Sequence, residues 1–108
     1  MTKTIDLRHE AECKLLALMI FDPARVSIAL NAGPPTFTSL PNELIWATLL
    51  YLNALDRLVD VISIGETMKR HQSFEAAGGA EYIVEVMQSA SATDEMQPLL
   101  DILYGLSA

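Results

Sequence analysis

Proline and glycine steps at Asp22-Pro23, Gly33-Pro34-Pro35 and Gly78-Gly79 cut this chain into short segments, and within each segment apolar residues recur at three- and four-residue spacing. Segments of that kind fold as short amphipathic helices that must bury their apolar stripes against one another. From Asp6 to Phe21, Ala11, Leu15, Leu16, Leu18 and Met19 alternate with Arg8, Glu10, Glu12 and Lys14, which predicts a first helix. Asp22 is expected to cap a second helix over Ala24 to Asn31, with Pro23 at its first position and Gly33 ending it. Phe37 lies in the loop that follows and is expected to plug the core, where a large aromatic ring is best placed.

The third helix, Leu40 to about Leu55, is apolar nearly all the way round, through Leu44, Ile45, Trp46, Leu49, Leu50, Tyr51 and Leu52. It reads as the central core element or as one clamped against a neighbouring molecule. A fourth helix falls within Asp60 to Gln72, with Ser63 as N-cap and Glu66 completing a capping box. Ala80 to Gln88 gives a fifth, with Tyr82, Ile83, Val86 and Met87 on one face. After a turn over Ser89 to Thr93, Thr93 or Asp94 is expected to cap a sixth helix carrying the stripe Leu99, Leu100, Leu103 and Leu106, with Pro98 in its first turns. The expected fold is all-α, a single orthogonal bundle of five or six helices.

A domain of 108 residues can bury roughly 65% of its unfolded surface. With 51% hydrophobic and 19% charged residues the chain is globular rather than disordered, and its apolar surplus suits either a dense helical core or surface meant to be covered. Seven basic against fourteen acidic residues give a net charge of −7, and the one basic group, Lys69-Arg70-His71, stands at a helix end. That balance argues against direct nucleic-acid binding, which draws its affinity from clustered Lys and Arg. A lone cysteine, Cys13, and polar first residues without a signal peptide point to the cytoplasm. No apolar run approaches the ~20 residues of a membrane span, so no membrane role is expected.

No catalytic constellation is visible. None of the five glycines leads into a Lys-Ser or Lys-Thr phosphate loop, and Gly78-Gly79 reads as a helix break needing positive φ. His9 and Cys13, four apart with Glu10 and Glu12 alongside, offer two metal ligands, which do not complete a site. Acidic neighbours argue for an inert, partly buried Cys13 thiol. Glu10, Glu12 and Asp22 are expected on a solvated face, and Trp46 and Tyr51, lacking flanking cations, pack rather than stack on bases. A metal-dependent hydrolase built on His9 and Glu12 is the last-ranked reading, and no cofactor is expected.

Taken in order, Glu10-Ala11-Glu12, Leu15-Leu16-Ala17-Leu18, Asp22-Pro23, Phe37, the apolar stretch Leu44 to Leu55, Val59-Asp60 and Gly78-Gly79-Ala80-Glu81-Tyr82-Ile83 resemble the N-terminal domain of DnaB-type replicative DNA helicases. The resemblance runs from about Ile5 to Leu103. Cys13 stands where the family usually has glutamine, and Asn42 near where a histidine commonly opens the third helix, which suggests a divergent member. The resemblance implies a helical head over about residues 6–90, with Leu15, Leu18, Phe37, Leu49, Tyr82 and Ile83 in its core. The first arm of a helical hairpin follows over about 93–106, and the second arm and the RecA-like ATPase are not in this sequence.

It further implies a protein-interaction and oligomerisation role in the helicase collar, with partners drawn from a second copy, the helicase motor domain, primase or a loader. A free-standing phage or mobile-element mimic that binds a host helicase, primase or loader is the alternative. The expected contact residues are the sixth-helix stripe Leu99, Leu100, Leu103 and Leu106, read as lacking a packing partner within the chain, together with Trp46 and Tyr51.

Overall fold

In the computed structural model, which describes residues 6–91 and 93–105, the punctuation of the sequence becomes six helices. They are α1 (Leu7–Phe21), α2 (Arg25–Asn31), α3 (Leu40–Ala54), α4 (Val61–Arg70), α5 (Gly79–Met87) and α6 (Met96–Leu103). No strand occurs among the described residues, in keeping with the all-α, DnaB N-terminal-domain-like expectation.

The central element is α1 rather than the more uniformly apolar α3. From Ala11 to Ile20 every α1 side chain but Lys14 is buried, because α3, α5 and α6 all pack against this one helix. α3 turns Ile45, Trp46, Leu49 and Leu52 inward and leaves Leu40, Ala47 and Tyr51 exposed. α4 joins α3 to α5, and α2 fills the space between α1, α3 and α6. Leu15, Leu16, Leu49 and Ile83 are wholly buried, each contributing about 1.5–3 kcal/mol by leaving water. Phe37 plugs the core as expected and meets Trp46 with ring centroids 5.7 Å apart.

The helix ends differ from the sequence expectation in three places. α2 starts at Arg25 with Ala24 as N-cap, because Asp22 and Pro23 are used in the turn before it: their carbonyls accept from Arg25 and Val26 N–H. α4 is capped by Asp60, not Ser63. Ser63 is the third residue of the helix, and the two exchange a reciprocal box, Ser63 N–H to Asp60 Oδ1 at 2.7 Å and Asp60 N–H to Ser63 Oγ at 2.9 Å. α6 begins after Glu95 without a side-chain cap, since the Asp94 carboxylate already holds Ser91 N–H at 2.7 Å and Lys14 Nζ at 3.2 Å.

Two helices end in Schellman motifs closed by residues other than glycine. Asp56 (φ 53°) follows α3 and Gln72 (φ 60°) follows α4. The next amides, Arg57 and Ser73, reach back to the carbonyls of Leu52 and Met68 at 3.0 and 2.8 Å. At the other break, Gly78 has φ 92°, and a Cβ there would lie 2.6 Å from Tyr82 Cβ, so this position takes glycine on both counts.

The expectation that the α6 stripe lacks a partner within the chain is corrected. Leu99, Leu100 and Leu103 are buried in the same core as α1, because α6 lies along that helix. Arg8 fixes the end of α6 by donating from Nη1 to the Leu103 carbonyl at 2.8 Å, while its Nη2 donates to the Thr36 carbonyl at 2.7 Å. Tyr104 Oη donates to the Gly33 carbonyl and ties the same end to the loop after α2. Leu106 lies outside the described residues.

Candidate functional site

Two buried polar residues, Glu12 and Asn42, meet in the interior between α1 and α3. Glu12 stands on α1 three and four residues before Leu15 and Leu16, on the buried side, and is 0% exposed. The expectation that it lies on a solvated face is therefore corrected, whereas Glu10 and Asp22 are exposed as expected. Glu12 Oε2 accepts from Thr38 N–H at 3.0 Å and from Thr38 Oγ1 at 2.7 Å; Oε1 accepts from Asn42 Nδ2 at 3.1 Å. Arg8 Nε lies 3.4 Å from Oε2. Ser39, the N-cap of α3, makes no side-chain cap bond, so a carboxylate from α1 neutralises the positive end of α3 in its place. Burial pushes the Glu12 carboxyl upward, but the Thr38 and Asn42 hydrogen bonds outweigh it and hold the group below the ordinary carboxylate range.

Asn42 carries the network onward. Its Oδ1 accepts from Tyr82 Oη at 2.6 Å, which joins α5 to α3, and through Glu12 to α1. The Glu10-Ala11-Glu12 and Gly78-Gly79-x-x-Tyr82 motifs, some seventy residues apart in sequence, thus meet through one asparagine. Cys13 Sγ sits beside the same groups, 3.7 Å from Tyr82 Oη, 3.8 Å from Asn42 Nδ2 and 3.6 Å from His9 Nε2. Cys13 and Asn42, the two departures from the resembled family's pattern, therefore lie against each other.

A groove of about 310 Å³ between α1 and α5 opens over this cluster, lined by His9, Glu10, Cys13, Lys14, Tyr82 and Glu85 among others. A thiol with an imidazole and a carboxamide nearby has the residue types of a nucleophilic site, but its electrostatics are the reverse of an activated one. Burial pushes the Cys13 thiol up; hydrogen bonds from Tyr82 and Asn42 oppose this without overcoming it, and the charges of Glu12 and Glu85 add to it. Burial, then the neighbouring Cys13, raise the Tyr82 phenol far above its usual value, so it stays a donor. Asn42 is spent on Glu12 and Tyr82 and orients no base. Among the described residues no three His, Cys, Asp or Glu side chains gather as metal ligands. The cluster orients three helices, and the thiol beside it is held protonated.

The expected contact residues are scattered by the fold. Trp46 is buried against Phe37, and the described part of the α6 stripe belongs to the core. Tyr51 is 38% exposed, its ring edge-on to His71 at 4.8 Å. Sequence reading took Leu55 and Ile62 as apolar helix residues and passed over Leu58 between α3 and α4; Leu58 is 77% and Ile62 67% exposed. The available signal was the charged pair Asp56-Arg57 after the third helix, beyond which Leu58 has no helical stripe to join.

No helix among the described residues is long and apolar enough to cross a membrane. The family model of the DnaB-like helicase N-terminal domain matches residues 6–105. Comparison with curated protein sequences gives no match.

Proposed function

Because this chain belongs to the DnaB-like helicase N-terminal domain family, we propose that it acts as a protein-interaction and oligomerisation module of a replicative DNA helicase, contributing to the collar and to the docking of primase or a loader. The observation that carries the reading is the match to that family over residues 6–105 of 108. Two physical features support it. The interior polar cluster is consumed in holding α1, α3 and α5 together, which leaves the outer surface to do the work. That surface bears exposed large apolar side chains, Leu55, Leu58 and Ile62 among them, on an acidic molecule. In this reading α6 is the start of the hairpin arm, and its buried stripe supports assembly by fixing the direction of that arm. Tyr51 is the residue of the expected contact set best placed to touch a partner directly.

The test is co-sedimentation of the chain with a DnaB-type helicase, with primase and with a helicase loader, each against single-stranded DNA as the control ligand. Binding to at least one of the proteins, and none to DNA, is the expected result. Binding to DNA alone would overturn the proposal.

A further inference from the structure

The chain's cations are unevenly engaged. Among the described residues Arg8 pairs with Glu12, Lys14 with Asp94 and Arg25 with Asp22, while Lys69 lies 4.9 Å from the centroid of the Phe74 ring. Among the described residues Arg57 and Arg70 have neither an ion pair nor an aromatic ring, and both line the same groove, which runs between the end of α3 and one side of α4. Its floor is Leu52 and its rim includes Leu58, at 77% the most exposed large apolar side chain among the described residues. The dipoles of α3 and α4 favour a cation near each helix end. They give no reason for a leucine standing in water beside the two arginines, where exposure of its side chain forgoes about 1.5–3 kcal/mol. Glu66 also lines the groove, and Asp60, close by in the chain, is committed to capping α4.

We propose that this corner is a docking site for an acidic, leucine-bearing helical segment of another protein, and this rests on the interaction-module reading above. The apolar anchor of such a segment covers Leu58, and its carboxylates meet Arg57 and Arg70. Guanidinium groups suit that task because their planar fork holds carboxylates in two parallel bonds. A nucleic acid is not the match: the polyanion would gain two cations here and face a molecule of net charge −7 everywhere else. A short acidic segment occupies the two arginines alone.

The experiment is a titration of the whole isotope-labelled chain with a synthetic amphipathic peptide carrying leucine at helical spacing and glutamate elsewhere, followed by amide chemical shifts. A peptide with lysine replacing each glutamate is the control. The acidic peptide is expected to move amides over residues 52–70 and to bind more weakly as salt rises from about 0.1 M to about 1 M, which shortens the screening length from ~10 Å to ~3 Å. Arg57→Glu and Arg70→Glu are each expected to weaken it about tenfold, as like charges replace opposite ones. Leu58→Ser, at a position too exposed to affect folding, is expected to weaken it as well. Equal binding of the lysine peptide, shifts confined to other surfaces, or no shifts at all would overturn the docking site. Since helicase, primase and loader binding is read separately by co-sedimentation, failure of the site leaves the module reading to stand or fall by that assay.

Discussion

Replacing Glu12 by alanine removes the acceptor on which the interior polar network depends. The Thr38 amide and hydroxyl lie on an exposed residue and can turn to water. Asn42 cannot, because it is wholly buried, and its Nδ2 would lose its bond to Glu12 Oε1. An orphaned buried donor costs about 1–3 kcal/mol, and hydrogen bonds to a charged group are worth about 1.5–3 kcal/mol net. Adding the unpaired Arg8 guanidinium and the space left by the carboxylate gives a loss of about 3–5 kcal/mol, in line with breaking one side of a buried charged cluster. For a domain of this size that is a fall in Tm of roughly 12–20 °C. Urea unfolding followed by circular dichroism measures it directly, with Glu10→Ala on the exposed side of the same helix as the reference, expected within about 0.5 kcal/mol of the parent.

The same carboxylate sets a pH dependence. Its folded pKa lies below the unfolded one, so the stability it supplies is fully present above the unfolded value, about 4.3, and is lost as pH falls through the folded value. Glu12→Gln should lose stability at neutral pH and be less sensitive than the parent to acid. A Glu12→Ala cost no larger than that of Glu10→Ala would refute the reasoning.

Three further outcomes follow from the same contacts. Gly78→Ala should destabilise the domain by more than about 2 kcal/mol, since the new Cβ meets Tyr82 Cβ and the backbone is at φ 92°; the midpoint of thermal unfolding checks it. Tyr82→Phe leaves Asn42 Oδ1 without its donor and should cost about 1–2 kcal/mol in urea unfolding. Cys13 should react with a thiol reagent far more slowly in the native domain than in urea at neutral pH, because its pKa is raised and the residue is largely buried.

The helix count and the breaks were legible in the sequence because Pro and Gly act locally, at the residues where they stand. The core residues Leu15, Leu18 and Ile83 were legible because their spacing records which side of a helix is dry, and Phe37 because a large aromatic ring in a loop is best buried. Helix starts were less so: Asp60 and Ser63 are both good caps three residues apart, and only the folded turn shows that each caps the other. The burial of Glu12 went unread because charge outweighed position, although Leu15 and Leu16, three and four residues on, mark its side of α1 as buried. The place of α6 was not legible at all. Periodicity announces a stripe but does not say which helix covers it, and here the cover is α1, ninety residues earlier in the chain.

Self-association is the most direct consequence of the interaction-module reading, and the mass of the chain in solution, measured by light scattering across a concentration series, tests it. The account predicts a mass that rises with concentration towards a dimer or larger assembly. A monomer at every concentration would contradict it.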